Sequence, residues 1–164
     1  MIINPKMINL KPQLLKLNGF FITAATNKHC ILDTPIRTDL LLKTLTGLRT
    51  FNGMNFTIYA CEEVFQGRIE PSFFLLSPST TLNLNLTENL LNLGELFNQT
   101  DILSVNENDQ GELLKLGGFR GDFDTLRCVK NELIHKDDLD LKTMDKCSLI
   151  DLGGAWFQVV KYQK

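Results

Sequence analysis

Two apolar runs, Asp101-Ile102-Leu103-Ser104-Val105 and Glu112-Leu113-Leu114-Lys115-Leu116, bracket the polar, glycine-ended segment Asn106-Glu107-Asn108-Asp109-Gln110-Gly111. A connection that short admits only an antiparallel return, so this stretch predicts a β-hairpin. Immediately upstream, Leu90, Leu91, Leu93, Leu96 and Phe97 recur at helical spacing behind Thr87, which reads as an N-cap, and Asn98-Gln99 close the helix. A helix running directly into a hairpin leaves no room for a parallel crossover, and the rest of the chain is read around that constraint.

In chain order, Lys11-Pro12-Gln13-Leu14-Leu15-Lys16-Leu17 predicts a short helix with proline in its first turn, ended by Asn18-Gly19. Phe20-Phe21-Ile22-Thr23-Ala24-Ala25 is a core strand, followed by a polar loop at Thr26-Asn27-Lys28-His29. Asp33 or Thr34 caps the next helix, Pro35 sits in its first turn, Leu41, Leu45 and Leu48 share a face, and Asn52-Gly53 stops it. Phe56 to Cys61 alternates as a strand does, and Ser72 to Leu76 is a second apolar run. Between them Gly67 favours a turn and Pro71 ends a strand or confines it to an edge, predicting a hairpin with a long tip. The order of Asp124 to Leu133 is open between strand and short helix. His135 to Leu141 reads as a charged, solvated segment, and Ala155 to Tyr162 as a last strand behind Gly153-Gly154.

Hairpin-length connections dominate, so the fold class expected is α+β: a mostly antiparallel sheet covered on one face by two or three helices. No composition shift divides the chain, and residues 1–164 read as a single globular domain. Hydrophobic content of 43% and charged content of 22% are those of an ordinary core-forming domain. A net charge of −2 with dispersed Lys and Arg offers no stripe for nucleic acid. Pro12 interrupts the only N-terminal apolar candidate, so neither a membrane span nor an export signal is expected, and the chain reads as cytoplasmic. Cys30, Cys61, Cys128 and Cys147 show no paired spacing and read as reduced, mostly buried thiols.

Catalytic signatures are not found. His29 and His135 are the only near-neutral bases; Cys30 and Asp33 are sequence neighbours of His29, but adjacent residues on an extended segment point to opposite sides, so a loop histidine without a catalytic task is the plainer reading. Gly117-Gly118-Phe119-Arg120-Gly121 lacks both the dinucleotide fingerprint and the Walker lysine, so it reads as a turn. Glu62, Glu63 and Glu70, with Asp122 and Asp124, are the carboxylates that would gather a divalent cation, but solvated acids are the plainer reading. No metal and no cofactor are expected.

Several short stretches resemble a small bacterial and phage domain family known only as a domain of unknown function. They are Phe21-Ile22-Thr23-Ala24, Asn27 with the leucine helix after it, Glu70-Pro71-Ser72-Phe73, and Leu96-Phe97-Asn98-Gln99 before Asp101-Ile102-Leu103. The tryptophan expected before the Glu-Pro-Ser segment is missing. The resemblance implies a set of polar positions at element ends, Thr23, Asn27, Glu70, Ser72 and Gln99, as a candidate pocket; as plain chemistry these are also cap and turn residues.

The function expected is that of a small non-catalytic domain acting by protein–protein contact, with Phe65, Ile69 and Phe119 as candidate interface residues. Abundant Asn, Leu and Lys suit an accessory protein of a phage or mobile element that inhibits a host defence enzyme. The competing expectation is an enzyme or small-molecule binder using the polar pocket at the strand ends.

Overall fold

The computed structural model describes residues 11–25, 33–51, 53–65, 67–78, 84–116, 123–126, 128–144 and 146–163. Nine strands form one sheet: β1 (Gly19–Thr23), β2 (Thr57–Phe65), β3 (Arg68–Leu76), β4 (Asp101–Val105), β5 (Gly111–Lys115), β6 (Phe123–Leu126), β7 (Cys128–His135), β8 (Cys147–Gly153) and β9 (Trp156–Gln163). Among the described residues two α-helices, α1 (Thr34–Phe51) and α2 (Leu84–Leu96), accompany it. The strand order is β6-β5-β4-β1-β3-β2-β8-β9-β7, with antiparallel pairing at every junction.

That order forces the sheet to curl. β6 and β7 are its two edges, yet Leu126 and Cys128 are separated by one residue. Two residue steps span at most about 7 Å, whereas a flat sheet of this width would hold its edges roughly 38 Å apart. The edges therefore converge, and Asn131 Nδ2 on β7 donates to Asp109 Oδ1 in the β4–β5 turn at 3.1 Å. The architecture is a curled, sheet-dominated half-barrel. It replaces the expected α+β arrangement of two or three helices covering a sheet, because the helices reach only part of the outer face.

On that outer face, Phe20, Ile22, Phe73 and Leu75 of β1 and β3 meet Leu41 and Leu45 of α1 and Leu86, Leu90 and Leu93 of α2. Over β8 and β9 the cover is supplied instead by the segment after β7, where Leu139, Leu141 and Met144 lie against Val64, Cys147, Leu149 and Val159. The stretch read as a solvated charged segment is thus amphipathic, its leucines half-buried under its charges. On the concave face, Phe21, Phe74, Leu103 and Val160 form a separate apolar cluster.

Local chemistry accounts for the elements. Pro35 occupies the first turn of α1, where its missing N–H costs nothing. α2 begins at Leu84, so Thr87 lies within its first turn and does not cap it. Asn98, at φ 58°, ends the helix, and Gln99 N–H donates to Gly94 O at 2.9 Å. In the β4–β5 turn, Asn106 Oδ1 accepts from the N–H groups of Asn108 and Gln110. β2 and β3 pair as far as Phe65 and Arg68, so their hairpin is tight. Pro71 lies inside central β3, directly beyond Thr23↔Ser72, the last β1 rung, where no β1 residue remains to need its N–H.

Residues 11–18 are not helical. Leu15 and Leu17 pack into the concave cluster as alternate residues of an extended strap, leaving Leu14 and Lys16 outside.

Arg37 ties the helical layer together: Nε donates to Ala24 O at 3.0 Å, Nη2 to Phe97 O at 2.6 Å, and its guanidinium lies 5.5 Å from the Phe97 ring centre. Arg37→Ala is expected to lower stability by about 2 kcal/mol in urea titration, since two backbone carbonyls lose a charged donor. Arg37→Lys is expected to recover less than half, because an ammonium cannot serve both carbonyls and the ring.

Candidate functional site

Directly opposed residues of antiparallel strands share a face, so the register assembles rows across the concave surface. One row reads Tyr59, Phe74, Phe21 and Leu103. It is apolar, with the Phe21 and Phe74 rings 4.7 Å apart and Tyr59 6.5 Å from Phe74. The next row reads Gln158, Ile150, Cys61, Ser72 and Thr23. The row nearer the β2–β3 turn reads Asn131, Val160, Ser148, Glu63 and Glu70. The concave face thus changes from apolar to polar toward that turn.

Glu63 is the centre of the polar end. Burial pushes its carboxyl up to about 7, the nearby Glu70 and Asp101 charges add to that, and the Ser72 hydroxyl works against it. Ser72 Oγ lies 3.1 Å from Glu63 Oε1 and 3.0 Å from Ile22 O. A hydroxyl carries one proton and both neighbours are acceptors when Glu63 is ionised. A protonated Glu63 donates to Ser72 while Ser72 donates to Ile22, so the neutral acid completes the chain of bonds and the carboxylate breaks it. On the other side Ser148 Oγ, fully buried, has no hydrogen-bond partner among the described residues.

Cys61, also on this face, is a buried thiol outside any disulfide; burial first, then the Glu63 and Glu62 charges, push its pKa well up. Its side chain packs in the concave cluster, and burial favours the thiol over the thiolate. Burial likewise raises the Tyr162 phenol.

Three of the expected pocket residues, Thr23, Glu70 and Ser72, do lie in adjacent rows. Thr23 Oγ1 donates to Pro71 O at 2.7 Å and accepts from Ala25 N–H at 3.1 Å. Glu70 is 3.3 Å from Arg68 Nη2. Gln99 is a fastener between elements, its Nε2 donating to Ala25 O at 2.9 Å and Phe97 O at 3.2 Å. Asn27 lies outside the described residues, as do His29 and Cys30. Of the candidate interface, Ile69 is exposed; Phe119 and the Phe65 side chain lie outside the described residues. His135 acts locally: its ring meets Trp156 edge-on at 5.1 Å and Nδ1 accepts from Asp137 N–H at 3.2 Å.

Of the carboxylates singled out for a cation, Glu63 and Glu70 stand opposite each other across β2 and β3, and no group of three metal-binding side chains is present among the described residues. Glu62 points to the outer face, opposite to Glu63, Asp122 lies outside the described residues, and Asp124 is held by Lys115 Nζ at 3.0 Å. The outer face holds a cavity of about 240 Å³ between α1 and the sheet, lined by Thr38, Glu62, Phe73 and Phe157 and also by Cys61 and Ser72. Glu63 is not among its walls, but Ser72, which bonds Glu63, is.

Gln158 was not legible as a site residue. It is fully buried in the middle of β9, its Oε1 accepting from Leu15 N–H at 2.7 Å and its Nε2 donating to Leu15 O at 3.1 Å and Asn131 Oδ1 at 3.2 Å. The signal available in sequence was a lone polar residue inside Trp156-Phe157-Gln158-Val159-Val160.

Compared with known proteins, the chain matches no family model and no curated protein. The resemblance to the bacterial and phage family rests on the short stretches quoted for it. Among the described residues no helix is long and apolar enough to cross a membrane.

Proposed function

We propose that the protein is a non-catalytic domain that acts by binding another protein through the crease between its two helices. One observation carries this reading. Ile36 and Leu40, one turn apart on α1, and Leu96 at the end of α2 are 72%, 56% and 74% exposed. Ile36 and Leu96 are the chain neighbours of Arg37 and Phe97, which touch each other, so α1 meets the residue after α2 beside both. Large apolar side chains left exposed are what a contact surface presents. The competing reading, an enzyme or small-molecule binder, would use the outer cavity, whose wall includes Ser72, the hydrogen-bond partner of Glu63, while Glu63 itself is not part of that wall. The narrower form of the proposal, an accessory protein of a phage or mobile element that blocks a host defence enzyme, is supported by chain size and by abundant Asn, Leu and Lys.

The test replaces Ile36, Leu40 and Leu96 together by serine. Stability in urea is expected to change by less than about 1 kcal/mol, since exposed positions contribute little. Proteins captured from the native cell by the wild type, identified by mass spectrometry, are expected to fall at least tenfold with the variant. An unchanged capture profile with a well-folded variant would sink this reading.

A further inference from the structure

The strap at residues 11–17 lies on the concave face, away from the helix crease, and it is held in an unusual way. Gln158 offers it a carboxamide as a second peptide group would, accepting Leu15 N–H and donating to Leu15 O. That contact reads backbone, so it accommodates any residue except proline, as strand addition to a sheet does. Specificity comes from alternate side chains: Leu15 and Leu17 enter the cluster of Phe21, Phe74 and Val160, while Leu14 and Lys16 face out. Lys16 Nζ meets Glu107 Oε2 at 3.3 Å, and Lys11 Nζ stands 5.6 Å from the Trp156 ring centre, so the groove pairs a basic ligand with an acid and an aromatic wall.

The strap is held by the Gln158 clamp and by its leucines, Leu17 at 1% exposed and Leu15 packed beside it. It adds no rung to the sheet ladder, and its Lys16–Glu107 pair is three-quarters exposed on the lysine side, a class of contact that holds little. Its departure would leave the Gln158 carboxamide buried without the Leu15 backbone, a state that favours capture of another extended chain.

We propose that the concave face, from Gln158 and Val160 of β9 across to Phe21 of β1 and Phe74 of β3, is a peptide-binding groove that residues 11–17 close in cis. Its ligand in trans is an extended segment with leucines at alternate positions and a basic residue between them. The cis strap defines that ligand chemistry, and the groove binds it by strap displacement.

The probe is a fluorescein-labelled peptide, Lys-Pro-Gln-Leu-Leu-Lys-Leu-Asn, matching residues 11–18. It is titrated against the full chain carrying Leu15→Asp, which ejects the strap, and against Leu15→Asp with Gln158→Met, which keeps the bulk of the clamp and removes its hydrogen bonds. Anisotropy is expected to show binding to the single variant at least tenfold tighter than to wild type, and that gain is expected to vanish in the double variant. Equal binding by all three, or by none, overturns the proposal. Should Leu15→Asp fail to fold, wild-type protein with excess peptide gives the same answer: hydrogen exchange at the Leu15 amide is expected to accelerate at least threefold, and an unchanged rate overturns the groove. The helix crease is untouched by these variants, so this result and the serine test above stand or fall separately.

Discussion

Gly19→Ala is expected to keep the chain from folding or to cost at least about 4 kcal/mol. A Cβ at this position would sit 1.8 Å from the carbonyl oxygen of Leu75 and 2.9 Å from its carbonyl carbon. Both are backbone atoms of β3, which is pinned between β1 and β2 from Ser72 to Leu76. Gly19 itself pairs with Leu76 on one side and Val105 on the other, so any shift that relieves the clash strains two ladders. Gly94→Ala makes the contrast. Its Cβ would meet Leu116 Cδ1 at 2.5 Å and Ile102 Cδ1 at 3.1 Å, which are ends of side chains able to turn. Alanine also favours the helix by about 1 kcal/mol, so a net loss of about 1 kcal/mol is expected there. Circular dichroism and urea midpoints of both variants decide the matter. A Gly19→Ala protein with a wild-type midpoint would mean that β1 does not approach β3 in this register.

Gly19 also shows where local reading gave out. Beside Asn18 it resembles a helix stop, and Lys11 to Leu17 with its leucines resembles the helix it would stop. The leucines that matter, Leu15 and Leu17, are two apart, a strand period that only the concave cluster reveals. Signals confined to one turn were legible: the polar β4–β5 turn with Asn106 as its hub, the Pro35 start of α1, and Asn98 closing α2. β7 and β8 were not, because Cys147-Ser148-Leu149-Ile150 carries no period of its own and is a strand only through β2 and β9 on either side. The curl was out of reach for the same reason, since it follows from β6 and β7 standing at opposite edges. Of the polar positions expected at element ends, Thr23 does end β1, whereas Glu70 and Ser72 lie inside β3. Glu63 was named only as a cation carboxylate and read as solvated, and Ser148 and Gln158 were missed. Ser148 and Gln158 are each one polar side chain between apolar neighbours, and that interruption is the mark to follow in a sequence of this kind.

Glu63→Gln is expected to stabilise the protein at pH 8 by as much as about 3 kcal/mol while changing little at pH 4. The folded carboxyl holds its proton to about 7, against 4.5 for the ordinary group. Below 4.5 both folded and unfolded chains carry the proton, and Glu63 is neutral in each. As pH rises from 4.5 to 7 the unfolded chain releases its proton while the folded chain keeps it. The stability contributed by the neutral acid is lost across this window, and above 7 the folded chain bears a carboxylate among buried groups. Glutamine cannot ionise, and its amide N–H keeps a donor toward Ser72 Oγ, leaving Ser72 to donate to Ile22 O as it does beside the neutral acid. The measurement is the difference in unfolding free energy between variant and wild type from pH 4 to 8.5. Taking the difference cancels the other carboxylates, including Glu70 and Asp101, to the extent that their own titration is unchanged. The curve is expected to rise from near zero with its steepest part between pH 5 and 7. A difference that stays flat with pH would mean that Glu63 titrates as a solvated acid and that the polar end of the concave face is open to water.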